Sequence, residues 1–261
     1  MQHPNRYPSR GSRNAGRNNF IMEYFYIPEL KPGTAVTDLS GAEARHMMKV
    51  LRYQPGDEVY ATNGRGQEFR LIIRRVQPNK VTLEVCSVRA GEREPKHPLT
   101  LAPAVLKGDK LSQVVEAAAE LGVKEIIPFR SARVVGRLSE TKYRRLRQVA
   151  VSGMKTALRT VLPEVRPARE FSELVADFPH YERVVVAYEE ERVRRLEEVL
   201  EPAVESVLVV IGPEGGFTPE EVAAMSAAGA RLFTLGPRRF RAETAAIAAV
   251  TLCLARLGDL Q

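Results

Sequence analysis

Hydrophobic and polar residues follow two different patterns along the chain. From residue 23 to about residue 92, short apolar runs are separated by turn residues, and Asp57–Thr62, Gln67–Val76 and Lys80–Val88 have the pattern of strands. Beyond residue 98, apolar strands alternate with segments whose apolar positions recur at helical spacing. The change of pattern predicts a small β-barrel, a charged linker over residues 91–98, and an α/β domain with a parallel sheet covered on both faces.

The individual elements of this prediction follow from the same periodicity. In the barrel, Ser40 and Glu43 have the spacing of a capping box that opens a short helix, Ala44–Leu51. In the larger domain the predicted strands are Leu99–Leu106, Glu125–Phe129, Arg183–Tyr188, Val207–Ile211 and Leu232–Leu235. The predicted helices are Leu111–Leu121, Ser139–Leu158, Phe171–Phe178, Arg192–Leu200 and Glu243–Leu257.

The segment Val207–Val222 (VLVVIGPEGGFTPEEV) is a strand, a glycine-rich loop and a helix start in succession. Thr218 and Glu221 form a capping box, with Pro219 at the first helical position. The loop amides and the helix N-terminus are therefore presented together, and the glycines allow close approach of a ligand to the backbone. A tight β–α turn without a ligand is the competing interpretation.

A second Gly-Pro loop follows the next predicted strand, in the segment LGPRRFRAETAA from Leu235 to Ala246. Loops at the carboxyl ends of neighbouring parallel strands can form one crevice at the edge of a sheet. The pair of loops therefore favours a binding site over a simple turn.

Together, the two motifs resemble those of the RsmE family, SPOUT-class methyltransferases that modify N3 of a uridine in small-subunit ribosomal RNA. The second motif of that family usually has Leu where this chain has Phe240. The resemblance implies a SPOUT-type parallel sheet with a C-terminal trefoil knot, preceded by a PUA-like RNA-binding barrel. The implied boundaries are a tail over residues 1–22, the barrel over 23–92 and the methyltransferase domain over 98–261.

S-adenosylmethionine is the cofactor that the resemblance implies. Its adenine requires an apolar slot lined by backbone hydrogen-bonding groups, which three loops could supply. The expected cofactor contacts are Ala187, Tyr188, Gly212, Pro213, Glu214, Gly215, Leu235, Gly236, Pro237 and Arg241. Packing in the core is a close alternative role for Leu235.

Methylation of uridine N3 requires a weakly acidic proton to leave, and the resulting anion spreads its charge onto O2 and O4. A fixed cation beside these oxygens lowers the N3 pKa and stabilises the developing charge. Arg238 and Arg241 are the candidates for this catalytic role. Glu243 or Glu214 could orient an arginine or accept the proton.

Two basic segments are candidate RNA contacts. The barrel helix carries Arg45, His46 and Arg52, which match a family segment and could contact phosphate, although a solvated helix face explains them equally well. Lys155 and Arg159 lie one helical turn apart, in a stretch that resembles another family motif, and could hold phosphate or the target base.

Composition narrows the functional classes only slightly. The net charge is +7, but residues 1–22 carry four arginines and no acid, which leaves 35 basic and 32 acidic residues elsewhere. The tail is expected to be disordered, either a basic arm or an extension upstream of the usual start. Cys86 and Cys253 are expected in the core, and the sequence has no metal-binding motif, signal peptide or membrane helix.

We therefore expect a cytoplasmic methyltransferase that acts as a homodimer on the 16S ribosomal RNA of the small subunit, without metal or membrane. Two alternatives remain open at this point. One is a SPOUT enzyme that methylates a ribose 2′-oxygen, and the other is a noncatalytic RNA-binding factor for ribosome assembly.

Overall fold

The computed structural model describes residues 23–134 and 138–260, so the predicted tail over residues 1–22 lies outside it. The first domain is a five-stranded sheet with one short helix, and a π-helical turn over His46–Val50 follows that helix directly. Its elements are β1 (Tyr24–Tyr26), β2 (Val36–Ser40), α1 (Gly41–Arg45), β3 (Glu58–Thr62), β4 (Gln67–Gln77) and β5 (Lys80–Ala90).

The strands of this domain lie in the order β1-β3-β4-β5-β2, antiparallel except for the parallel pair β1 and β3. Alternate residues of β3, β4 and β5 point inward, as a period of two requires, and bury Val59, Phe69, Leu71 and Leu83. Phe25 and Met47 complete this core, which is separate from that of the second domain.

The second domain alternates strands and helices. Its strands are β6 (Leu99–Pro103), β7 (Glu125–Ile126), β8 (Phe129–Arg130), β9 (Glu164–Val165), β10 (Arg169–Glu170), β11 (Arg183–Ala187), β12 (Val207–Ile211) and β13 (Arg231–Phe233). Its helices are α2 (Lys110–Leu121), α3 (Glu140–Thr156), α4 (Phe171–Ala176), α5 (Leu196–Val199), α6 (Pro219–Ala227) and α7 (Ala242–Arg256), with a 3₁₀ turn over Phe178–His180.

Six of these strands form a parallel sheet in the order β13-β11-β12-β6-β7-β9. The central strand β12 is buried along its whole length. Val207, Val209 and Ile211 face one layer of helices, while Leu208 and Val210 face the other. Each such side chain contributes about 1.5–3 kcal/mol by leaving water. An uninterrupted apolar run is therefore what this position requires.

Most predicted elements agree with the structure to within a few residues, but three differ. The capping box at Ser40 is absent, because the Glu43 carboxylate accepts a hydrogen bond from Lys155 Nζ at 2.7 Å and does not turn back to Ser40. The predicted strand Glu125–Phe129 is divided into β7 and β8. The predicted helix Arg192–Leu200 is reduced to α5, because Glu191 Oε1 accepts from the amides of Val193 and Arg194 and holds a turn there.

The segment predicted as a linker packs against both domains. Gly91 donates its amide to the Gly66 carbonyl in the barrel, and Glu94 binds the segment that follows α3. Near the C-terminus, the Asp259 carboxylate accepts from the amides of Lys96 and His97. Residues 91–98 are therefore fixed in place by hydrogen bonds at both ends.

Cys253 is buried in α7, and burial raises the pKa of its thiol to about 12, whereas Cys86 is partly exposed in β5. Neither cysteine forms a disulfide. Within the ranges described above, every helix is too short or too polar to span a bilayer.

Candidate functional site

A cavity of about 700 Å³ lies at the carboxyl ends of three adjacent strands. Ala187 ends β11 and Ile211 ends β12, and the residues that follow β13 form the third side. Because β11 lies between β12 and β13, the two Gly-Pro loops flank the end of β11 and face each other across it. The volume is in the range of sites for small organic ligands.

The first loop is shaped by the packing of Phe217 beneath it. A Cβ atom on Gly212 would lie 3.0 Å from the Phe217 ring, so this position leaves no room for a side chain. The buried ring stacks on Phe129, with ring centroids 6.4 Å apart and an angle of 9° between the planes. Gly216 has φ +70°, a left-handed conformation that favours glycine. The loop therefore presents backbone to the cavity.

Glu221 connects this loop to a distant segment of the chain. Its Oε2 accepts from the Thr218 amide at 2.9 Å and completes the predicted capping box. Its Oε1 accepts from the Ala132 amide at 2.8 Å. Beside it, Arg133 Nη1 donates to the Gly215 carbonyl at 2.7 Å. One buried carboxylate thus caps α6 and also fixes residues 131–134 against the glycine loop.

The second loop is held by Thr234, whose Oγ1 accepts from the Gly236 amide at 3.1 Å. Arg238 and Arg241 follow on the cavity wall, and the Arg238 guanidinium lies 5.9 Å from the centroid of the Phe240 ring. Among the described residues, neither arginine forms an ion pair. Their charges are therefore available to a ligand.

Lys110, the first residue of α2, brings a cation to the cavity from a third part of the chain. Its Nζ lies 3.2 Å from Glu214 Oε1 and 3.8 Å from Glu243 Oε2. Desolvation raises the pKa of Glu214, but hydrogen bonds from backbone amides, including that of Lys107, and the Lys110 ammonium lower it more. The pKa of Glu214 therefore lies below its ordinary value, and the carboxylate is ionised at neutral pH.

The segment that follows β11 brings both carboxylates and an arginine to the cavity, since Glu189, Glu190 and Arg192 line it. Tyr188 donates its hydroxyl to Glu190 Oε2 at 2.8 Å, and desolvation together with this hydrogen bond raises the tyrosine pKa. Glu189 Oε2 lies 3.7 Å from the Arg239 guanidinium. Two carboxylates, each with a partner from the protein, therefore lie on this part of the cavity wall.

The structure brings together nine of the ten predicted cofactor contacts on the cavity wall: Ala187, Tyr188, Gly212, Pro213, Glu214, Leu235, Gly236, Pro237 and Arg241. Gly215 is the exception, because it is exposed and does not line the cavity, and its contact with the cofactor stays a prediction. A Cβ atom there would face Arg133 at 3.4 Å, outside the cavity, whereas the adjacent Gly216 does line the wall. Of the predicted catalytic residues, Arg238 and Arg241 line the cavity, and Glu243 lies behind Lys110.

The predicted RNA contacts of the barrel lie on and after α1. Arg45 is exposed at the end of α1, and Arg52 is exposed with φ +55° just beyond the π-helical turn. His46 Nε2 lies 3.6 Å from Glu23 Oε2, and both side chains are partly exposed. Two arginines are therefore accessible to a phosphate backbone, and their role in RNA binding stays a prediction.

The other two predicted RNA contacts are occupied within the protein. Lys155 Nζ pairs with Glu43 and lies 5.7 Å from the centroid of the Phe25 ring, so it joins α3 to the barrel. The side chain of Arg159 is only 3% exposed. The burial of Arg159 contradicts a contact with RNA, because the guanidinium donates to Glu94 and to the Ala119 carbonyl.

Sequence reasoning did not find Lys110, Glu189, Glu190, Arg192 and Phe217, which all line the cavity. Lys110 and Glu214 are 104 positions apart. The loop after Ala187 and Tyr188 is one of the three predicted binding loops, but its charged residues Glu189, Glu190 and Arg192 are not among the predicted contacts. No group of three potential metal ligands occurs in residues 23–134 and 138–260.

Comparison with known families supports a role in RNA modification. A family model described as an RNA methyltransferase domain matches residues 92–254, and one described as an RNA methyltransferase PUA domain matches residues 39–86. The two matches fall in the α/β domain with its parallel sheet and in the preceding five-stranded domain. The predicted fold class of a parallel-sheet methyltransferase domain preceded by a PUA-like domain is therefore confirmed, and the trefoil knot stays a prediction.

Individual relatives of this chain are also RNA methyltransferases. Ribosomal RNA small subunit methyltransferase E of Bacillus subtilis is 30% identical over 82% of this chain and 87% of its own length. Its counterpart in Mycobacterium tuberculosis is 29% identical over 88% of this chain and 90% of its own. The Neisseria gonorrhoeae enzyme of the same name, crystallised with bound S-adenosyl methionine, is 25% identical and aligns with a TM-score of 0.83 over 90% of this chain and 97% of its own.

Proposed function

The chain belongs to the ribosomal RNA small subunit methyltransferase E family, and on this premise we propose that it methylates N3 of a uridine in 16S ribosomal RNA. It is an S-adenosylmethionine-dependent RNA methyltransferase. The observation that carries the proposal on uridine is the position of Arg238 and Arg241. Both lie on the wall of a cavity built from two Gly-Pro loops, without an ion pair among the described residues.

The cavity fits the chemistry of the methyl donor. Ile211, Phe217 and Leu235 supply apolar surface for an adenine, and the loop backbones supply hydrogen-bonding groups for its edge. Glu189 and Glu190 supply negative charge for the cationic groups of the donor. When bound, S-adenosylmethionine would supply a methyl group activated by a positive sulfonium, and the protein's own residues would bind and orient the uridine and stabilise its anion.

Arg238 and Arg241 serve the uridine in this proposal. A guanidinium stays protonated throughout, so it stabilises the uracil anion and does not accept the proton. By favouring the anion, the arginines lower the pKa of N3 and stabilise the charge on O2 and O4 in the transition state. Glu214 is a poor proton acceptor because Lys110 and the Lys107 amide already bind it, and its pKa is lowered.

The remaining parts of the proposal concern assembly and location. In this proposal Arg45 and Arg52 bind RNA phosphates. The protein acts in the cytoplasm as a homodimer. Ile247 and Leu252 are exposed on α7, and the second copy covers them. The C-terminal segment passes from β13 at one edge of the sheet to α7, which packs on α2, β6 and β12. We propose, from the resemblance to SPOUT enzymes alone, that this segment forms a trefoil knot.

Nucleoside mass spectrometry tests the proposed reaction directly. The purified protein is incubated with S-adenosylmethionine and either 30S subunits or free 16S RNA from a strain that lacks the enzyme, and the RNA is digested. We expect 3-methyluridine to form with the unmodified protein and not with Arg238→Ala. A 2′-O-methyl nucleoside would assign the other SPOUT chemistry, and absence of any product with both RNA forms would favour a noncatalytic role.

A further inference from the structure

Two carboxylates, one in the first Gly-Pro loop and one just after the second, lie next to a single ammonium. Glu214 lies in the first loop, and Glu243 lies in the first turn of α7, directly after the second loop. Lys110 Nζ lies within 4 Å of an oxygen of each carboxylate, at 3.2 Å and 3.8 Å. The cation comes from α2, which is outside both loops. A residue of a third element therefore joins the two sides of the cavity.

Glu214 and Glu243 are both partly buried, so the Lys110 ammonium offsets their negative charge where water does so poorly. The side chain of Glu243 is 14% exposed, and its Oε2 is buried without a hydrogen-bond partner among the described residues. The side chain of Glu214 is 28% exposed. Like charges in a partly buried region repel strongly because water screens them poorly. Lys110 is the cation that lies within 4 Å of both carboxylates, so without it no cation in the described part of the chain would offset their repulsion at this position.

We propose that Lys110 is a positioning residue of the donor pocket, whose ammonium offsets the repulsion between the Glu214 and Glu243 carboxylates and so keeps the two Gly-Pro loops from separating. This inference rests on the proposed function, since it assumes that the loops bind S-adenosylmethionine. Lys110 acts through the two carboxylates and takes no part in the transfer of the methyl group. Its loss should weaken donor binding because the loops no longer face each other at the right separation.

Calorimetry with S-adenosylmethionine tests the inference on the full-length protein. We expect Lys110→Met to weaken binding at least tenfold, which corresponds to about 1.4 kcal/mol. Lys110→Arg keeps the positive charge and should stay within about threefold of the unmodified protein.

A double variant shows whether Lys110→Met weakens donor binding through the lost positive charge or through altered packing of the side chain. In Lys110→Met combined with Glu243→Gln, the unpaired buried charge is removed together with the cation. If Lys110 acts by balancing the two carboxylates, this double variant should bind at least fivefold more tightly than Lys110→Met alone. Such non-additivity is the expected mark of two residues that act through one interaction.

The outcomes distinguish this inference from the proposed function. Binding by Lys110→Met equal to that of the unmodified protein overturns the inference alone, and so does a double variant as weak as the single one. Failure of the unmodified protein to bind the donor overturns the proposed function and the inference together. If Lys110→Met does not fold, recovery of folding and binding in the double variant supports the inference, and failure of both variants overturns it.

Discussion

Arg159 and Glu94 form an ion pair in which the buried Arg159 donates through Nη2 to the partly buried Glu94 Oε2 at 2.6 Å. The second oxygen of Glu94 accepts from the amides of Thr160 and Val161, at 2.7 and 3.0 Å. Arg159 also donates to the Ala119 carbonyl at the end of α2. The barrel attaches to the same segment, because the Gly66 amide donates to the Thr160 carbonyl. This pair therefore organises the junction between the two domains.

Arg159→Met should lower the free energy of unfolding by roughly 3–5 kcal/mol, because it leaves the Glu94 carboxylate partly buried without its cation. Urea denaturation followed by circular dichroism measures the change. Arg144→Met is the matched control, since Arg144 forms an exposed ion pair with Glu140 within α3 and should change stability by less than about 0.5 kcal/mol. Native stability of Arg159→Met together with weaker RNA binding would restore the RNA-contact interpretation.

The glycine loop gives a second prediction, in which adjacent glycines respond differently. Gly216 lies on the cavity wall with φ +70°, a conformation that strains any residue with a Cβ atom, and a Cβ there would also displace the flexible end of Glu189, whose Oε1 lies 2.6 Å away. A Cβ atom on Gly215 would make ordinary contact with Arg133 at 3.4 Å. We expect Gly216→Ala to weaken S-adenosylmethionine binding at least tenfold and Gly215→Ala to change it less than threefold. Equal effects of the two substitutions in calorimetry would contradict this assignment.

Sequence patterns predicted the structural features that depend on residues close together in the chain. The capping box of Thr218 and Glu221, the buried strand β12 and the order of strands and helices all depend on neighbouring residues, and the structure contains them. The two Gly-Pro loops could be paired because parallel strands end at the same edge of a sheet.

Contacts between segments that are distant in the sequence could not be predicted from local patterns. Lys155 and Arg159 have the spacing of an exposed basic helix face, yet each is paired with a carboxylate from another part of the chain. Periodicity describes one element at a time, and it does not tell whether a cation faces water or a partner from elsewhere. For the same reason Lys110 could not be placed at the cavity, although it lies in a predicted βα loop.

Arg241→Lys should reduce turnover more than donor binding. Lysine keeps the charge but loses the planar set of donors that suits two uracil oxygens. We expect kcat to fall roughly 10- to 100-fold, with the dissociation constant of S-adenosylmethionine changed less than threefold. Steady-state kinetics on 30S subunits and calorimetry give the two values, with Arg144→Lys on α3 as the control. Parallel losses in both values would assign Arg241 to the donor alone.

The barrel arginines give a prediction that depends on salt. If Arg45 and Arg52 contact phosphates, replacing both by alanine should weaken RNA binding across sequences and reduce the slope of log K against log salt by about 0.7–0.9 per lost contact. Binding measured at several salt concentrations gives this slope. Replacing the exposed Lys124, which follows α2 in the other domain, by alanine is the control for a general loss of positive charge. An unchanged slope in the double variant would exclude both arginines from the RNA interface.

Asp259 gives a prediction for the acid range. Its side chain accepts from the amides of Lys96 and His97 and lies 2.9 Å from His97 Nδ1. Desolvation raises the pKa of Asp259, but these hydrogen bonds and His97 lower it more, so the folded-state pKa lies below the ordinary 3.8. A lowered pKa means that the carboxylate stabilises the fold above about pH 4. This contribution is lost as the pH falls through the folded-state value.

Asp259→Asn should therefore destabilise the protein at pH 7 by about 1–3 kcal/mol, the usual range for hydrogen bonds to a charged group. The difference from the unmodified protein should begin to shrink below about pH 4, where the carboxyl of the unfolded chain becomes protonated, and should disappear once the pH has fallen through the lower folded-state pKa. Urea denaturation at pH 7, 5 and 3.5 measures both effects. Asp57→Asn is the control, since Asp57 Oδ2 accepts one amide hydrogen bond in an exposed turn of the barrel. A stability difference for Asp259→Asn that stays constant over this range would show that the carboxylate charge contributes nothing to holding the C-terminus against residues 96 and 97.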